Sequence, residues 1–224
     1  ISFPALLAAG YPSITANVTN TIAIWPGTIG GSLAYRRELE GQRRRIVVLG
    51  SVSVVGAIIG SILLLASPQS LFDRIVPFLI LLACGLLAIQ PRLAKWMVRH
   101  RWAATSNDTF ALPLLASQLL AAIYGAYFGA GLGIMMLAFL GIFVPDDLQR
   151  LNALKGLLSL VVNGVAVVYF ALFGPVVWSA GILMAVASWL GGYLGVRVAR
   201  RLSGAVLRGL VVGYGVMVAG VLLF

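Results

Sequence analysis

The chain has 224 residues, 61% of them hydrophobic and only 10% charged, with a mean hydropathy of +1.03. That leaves too little polar surface for a soluble domain, so the composition implies a polytopic membrane protein. The net charge of +10 does not argue for a nucleic-acid partner, because the basic residues border hydrophobic spans, where the positive-inside rule accounts for them.

The chain opens at Ile1 on a short apolar piece, 1–10, too short to cross a hydrocarbon core about 30 Å thick. Spans are expected near 14–35, 46–66, 71–90, 110–130, 151–173, 177–197 and 206–224. The first carries ANVTNTIAIWPGTIGG at 16–31, in which Pro26 removes a backbone donor and Gly27 permits a break, so an interrupted helix is expected there, as a gating hinge or as a static kink. Cys84 lies inside an apolar run and has no second cysteine to pair with. After the fourth span comes Gly129-Ala130-Gly131-Leu132-Gly133, which can turn the chain back at membrane depth into a second short piece, 134–144, whose alternative is an interfacial helix. Such backbone is tolerated only where protein or a water-filled cavity surrounds it.

The two halves repeat. An offset of 135 pairs Asn17 with Asn152, Ser53 with Ser188, Gly56 with Gly191, Gly60 with Gly195 and Gly85 with Gly220. At the N-terminal edge an offset of 133 pairs Ala5 with Ala138, Leu7 with Leu140 and Pro12 with Pro145. The counterpart of helix 110–130 and its glycine turn is therefore expected upstream of Ile1. Of 16 Lys and Arg, 13 cluster at 36–45, 92–101 and 197–208, marking cytoplasmic loops, while loops near 67–73 and 173–176 carry none. Equivalent loops then fall on opposite sides. The expected fold is an all-α polytopic membrane protein of two inverted-topology repeats, 1–101 and 102–224, with interrupted and re-entrant half-helices. In such proteins the substrate site lies near the midplane, where the repeats meet.

Polar residues inside spans are the candidate site. Asn17, Asn20, Thr21 and Thr28 share one helical face, and Asn152, Lys155, Ser159 and Asn163 form a matching stripe in the second half. The competing reading is interhelix hydrogen bonding, worth about 0.6–2 kcal/mol per contact. Lys155 is the sharpest candidate, since Asp146 and Asp147 precede its span and a Lys at a helix centre costs about 2.5–3.5 kcal/mol without a partner. Its alternative is snorkelling to the interface. Gly131 and Gly133, at the start of the second half-helix, would present backbone N–H groups to an anion. The pairs Gly56/Gly60, Gly191/Gly195 and Gly209/Gly213 read instead as close-packing positions. No catalytic pair, metal-ligand cluster or phosphate loop is present in the sequence, and every carboxylate sits near a span end, so neither an enzyme nor a carboxylate relay is expected.

Four stretches together carry a family resemblance: ANVTNTIAIWPGTIGG (16–31), YGAYFGAGLG (124–133), LNALKGLLSLVVNGVAVVYF (151–170) and GGYLGVRVARRL (191–202). In order and spacing the chain resembles the TauE/SafE sulfite exporters. The resemblance implies a seven- to nine-helix transporter in the cell (inner or plasma) membrane, exporting small sulfur-containing anions such as sulfite, sulfoacetate or other organosulfonates. It implies no cofactor and no metal; the partners are the anion and the lipid bilayer, with a homodimer left open. The alternative is a membrane-embedded binding or assembly subunit that transports nothing.

Overall fold

The computed structural model describes residues 2–100, 112–199 and 204–223. Nine α-helices occur among them, and each expected span coincides with one. In chain order they are α1 (Ser2–Ala8), α2 (Ser13–Ala34), α3 (Arg43–Ala66), α4 (Gln69–His100), α5 (Leu112–Tyr127), α6 (Leu132–Phe143), α7 (Leu148–Phe173), α8 (Trp178–Ala199) and α9 (Gly204–Leu223). By length and composition α3, the first 24 residues of α4 and α7 are each able to cross a bilayer. Large apolar side chains such as Phe78, Val168, Leu172, Leu183 and Val221 point outward, which suits lipid and not water.

The fold departs from the expected break in the first span. α2 runs continuously from Ser13 to Ala34 with Pro26 inside it. Two bonds fix the segment around the proline: the Thr28 hydroxyl donates to the Trp25 carbonyl at 2.7 Å, and the Trp25 indole N–H donates to the Leu160 carbonyl on α7 at 3.4 Å. Gly27 faces α8, where a Cβ would stand in ordinary contact, 3.6 Å from Ser188 Oγ.

The tightest seam joins α3 to α5. A Cβ on Gly56 would lie 2.7 Å from Ala122 Cβ, and one on Gly60 would strike the Ile123 carbonyl oxygen. This is the expected close-packing role. Buried Gln118 reinforces the seam by donating to Ser53 Oγ at 2.8 Å, while Ser53 donates on to the Leu49 carbonyl. Among the described residues nothing stands within 4 Å of where a Cβ on Gly209 or Gly213 would lie; α9 approaches α4 through Gly215, set against Cys84 Sγ. Gly215 follows Gly213 by two residues, about 200° round the helix, so the face packed on α4 is the opposite one. The surroundings of Gly191 and Gly195 and the boundary at 101/102 lie outside the described residues.

Elsewhere α2 packs on α7 and α8, α3 also on α7, and α4 on α9 and α6. The short α6 is enclosed by α4, α5 and α7, and Ile142 is its one exposed side chain. At 12 residues it is about 18 Å long, well short of a bilayer core. On the side of the basic loops, Asp146 bridges Arg45 of α3 and Arg150 of α7, the latter at 2.9 Å. Burial alone would raise the Asp146 pKa, but the Asp147 N–H and the two guanidiniums outweigh it and hold the carboxyl below its usual range. This network sets where α7 enters the bundle.

Candidate functional site

α7 begins on Asp147, whose carboxylate accepts the Gln149 N–H. From there Leu151, Leu154, Leu158, Val162, Ala166 and Phe170 recur at helical spacing and bury one face. Burial of that stripe turns the adjacent one, Asn152, Lys155, Ser159 and Asn163, into a chamber of about 430 Å³ shared with Thr28, Tyr35 and Gly133.

The wall opposite Lys155 is the start of α6. Gly129 and Gly131 adopt φ of +80° and +79°, a left-handed backbone that favours glycine, and the Tyr124 hydroxyl pins the turn between them by donating to the Ala130 carbonyl at 2.6 Å. In the first turn of α6 the Leu132 N–H bonds to Gly129 and those of Ile134 and Met135 to Gly131. Among the described residues the Gly133 N–H has no backbone partner. Directly over it lies Lys155: its Cδ, Cε and Nζ are 3.7, 3.9 and 3.9 Å from where a Gly133 Cβ would stand.

That placement is electrostatically one-sided. The start of a helix carries the positive end of its dipole, so a lysine beside it raises the energy of both. Lys155 donates to Asn152 Oδ1 at 3.3 Å, but among the described residues no carboxylate lines the chamber. An anion between Lys155 and Gly133 would relieve the repulsion. No three His, Cys, Asp or Glu side chains come together among the described residues, so the chemistry offered is that of donors and one cation.

A second chamber of about 400 Å³ lies on the other side of the glycine turn. Asn17, Asn20 and Thr21 of α2 line it with Asn163, Gly129 and Gly131, against an apolar wall that includes Phe3, Ile80 and Cys84. The stripe expected along α2 is thus divided: Thr28 belongs to the Lys155 chamber, and Asn163 and Gly129 border both. Several of these groups also hold the structure together. Asn17 donates to the Tyr127 carbonyl at 3.0 Å, Thr21 to the Asn17 carbonyl at 2.9 Å, and Ser2 to Asn20 Oδ1 at 2.5 Å. Thr19, on the same helix, accepts the Val177 N–H and lines neither chamber. Pro26 and Gly27 also lie outside both linings.

Set beside known proteins, the chain matches the family model for the sulfite exporter TauE/SafE over residues 1–222. It belongs to the TauE/SafE family. Relatives of this TauE/SafE chain carry the printed name of probable membrane transporter. They include ORF9 of a Sinorhizobium species, 26% identical over 213 residues, or 95% of this chain and 79% of that one. The Haemophilus influenzae protein is 26% identical over 95% of this chain and 81% of its own, and YfcA of Escherichia coli K12 is 24% identical over 100% and 81%. No solved structure matches. This TauE/SafE protein is therefore a membrane transporter, and its relatives are named as transporters rather than as enzymes.

Within the TauE/SafE chain the structure brings together Asn152, Lys155, Asn163, Thr28 and Gly133, and separately Asn17, Asn20, Thr21 and Gly131. Sequence reasoning passed over Tyr124, which fastens the turn, and Trp25, which sits where α2 meets α7. A signal for Trp25 was available: its partner Leu160 stands 135 positions later, the repeat offset itself.

Proposed function

We propose that this protein is a secondary transporter that exports small sulfur-containing anions, sulfite and organosulfonates such as sulfoacetate, across the inner or plasma membrane, which the chain crosses several times. The observation that carries the reading is Lys155 held against Gly133 at the start of α6, with no carboxylate among the described residues lining the chamber. A tetrahedral or pyramidal oxyanion satisfies an ammonium, the Gly133 N–H and the side-chain amide of Asn152 at once, and charge-assisted hydrogen bonds of this kind are the strong ones. Export from a negative interior also runs with the membrane potential, by about 2.3 kcal/mol per charge per 100 mV. Pro26 denies the Ile22 carbonyl its usual donor, so α2 is weakest there, and a gating movement would bend it at Pro26-Gly27.

The test is flux in proteoliposomes loaded with sulfite, thiosulfate or sulfoacetate. Lys155→Gln should raise the half-saturating concentration by about tenfold or more, the loss of one charged hydrogen bond at about 1.5–3 kcal/mol. If none of the three anions moves while the reconstituted protein remains folded, the reading is wrong. Unchanged flux and affinity in Lys155→Gln and Lys155→Met would assign the side chain to snorkelling.

A further inference from the structure

The two chambers are lined by the same register positions of the two halves. Asn17, Asn20, Thr21 and Ile24 line the first; Asn152, Lys155, Gly156 and Ser159, each 135 residues later, line the second. The cross-contributions match too, since the first chamber borrows Asn163 and the second borrows Thr28, again 135 apart. Helix neighbours follow the same rule. Exchanging α2 with α7 and α3 with α8 converts the α2–α8 contact into the α7–α3 contact, while α2–α7 and α4–α9 map onto themselves. Where α2 crosses α7, the Trp25 indole N–H meets the carbonyl of its own counterpart, Leu160, and the ring lies over Gly164, 3.3 Å from where a Cβ would stand. Residues meet their own counterparts only near a two-fold axis.

Resting on the transporter reading above, we propose that the chamber around Asn17, Asn20 and Thr21 is a second, uncharged anion station, the counterpart of the Lys155 chamber. Gly129 and Asn163 line both chambers and form the partition between them. Asn20 occupies the position of Lys155. The second station therefore holds the anion by amide and hydroxyl groups alone and releases it more readily than the first.

Cys84 is the chain's single cysteine and lines this chamber, which makes it a built-in reporter. In detergent-purified protein, where both faces are open, the rate of Cys84 modification by 2-sulfonatoethyl methanethiosulfonate is measured with and without saturating sulfoacetate. The expected result is at least fivefold slower labelling with sulfoacetate, retained in Lys155→Gln and reduced about tenfold in apparent affinity in Asn20→Leu. Thr21→Val serves as the second variant should Asn20→Leu fail to fold. Equal rates with and without sulfoacetate, no labelling at all, or protection that disappears in Lys155→Gln would each overturn the second station. Protection without flux in proteoliposomes would uphold the station and sink the transporter reading instead, so the two failures are distinct.

Discussion

Gly133→Ala separates the proposed site from the fold that carries it. The added methyl would meet Lys155 Cδ, Cε and Nζ at 3.7–3.9 Å, which is ordinary van der Waals contact, and Gly133 is absent from the glycines of positive φ. The helix tolerates it, and alanine in place of glycine favours a helix by about 0.8–1.0 kcal/mol. Thermal stability in detergent should therefore hold or rise slightly. The methyl nevertheless occupies the gap that an anion would fill between the ammonium and the Gly133 N–H. Losing one hydrogen bond to a charged group, about 1.5–3 kcal/mol, corresponds to about a ten- to hundredfold rise in half-saturating sulfite. Initial rates of sulfite movement in proteoliposomes across a concentration series measure it, beside a melting curve of the same preparation. An unchanged half-saturation in a stable Gly133→Ala protein would refute the placement of the anion.

Gly131→Ala should behave in the opposite manner, losing stability first, because a non-glycine residue at φ +79° costs about 1–2 kcal/mol and its Cβ would press on Leu86 Cδ1 at 3.3 Å; melting in detergent reads it. Gly60→Ala should destabilise by about 1–3 kcal/mol or prevent folding, since the methyl would overlap the Ile123 carbonyl and lie 3.0 Å from Ala126 Cβ, and monodispersity on gel filtration checks it. The Asp146 carboxyl is held below its ordinary value, so its contribution is present above the unfolded pKa of about 3.9 and is lost as pH falls through the lower folded value. Wild-type melting temperature should thus fall on acidification below about pH 4 more steeply than that of Asp146→Asn.

Helix positions were legible because a bilayer demands long apolar runs, and hydropathy reports those runs directly. The glycine turn was legible for a related reason: closely spaced glycines permit a left-handed backbone, and the two positive-φ residues of the turn, Gly129 and Gly131, are both glycines. Pro26 was misjudged because the sequence shows the missing donor but not the packing that keeps α2 continuous; the Trp25 bond to the α7 backbone exists only once α2 and α7 are packed. Periodicity also placed Asn17, Asn20, Thr21 and Thr28 on one face, yet one face can border two spaces when a third element abuts it. Here Gly129 and Asn163 supply that division, and neither is near α2 in the sequence. Among the described residues no helix faces Gly209 and Gly213 closely; spacing identifies a small-residue face without saying what faces it.

The placement of a single lysine follows from what a carrier must do twice. A site has to capture its anion from dilute solution and then let it go, so binding that is tight along the whole route would stall it. On the proposed reading Lys155 sits in the chamber beside the basic loops, and the corresponding position on the far side is the neutral Asn20. An anion passing from the Lys155 chamber to the Asn20 chamber therefore gives up one charged hydrogen bond of about 1.5–3 kcal/mol. The membrane potential returns an amount of similar size, about 2.3 kcal/mol for a full crossing at 100 mV. Weak binding at the second chamber then favours release without a proton or sodium ion to drive it. Adding a charge there reverses the argument: Asn20→Lys should bind sulfoacetate more tightly in the Cys84 protection measurement yet export it more slowly in proteoliposomes. A variant that binds more tightly and also exports faster would show that release does not limit the cycle, and the difference between Asn20 and Lys155 would then need another explanation.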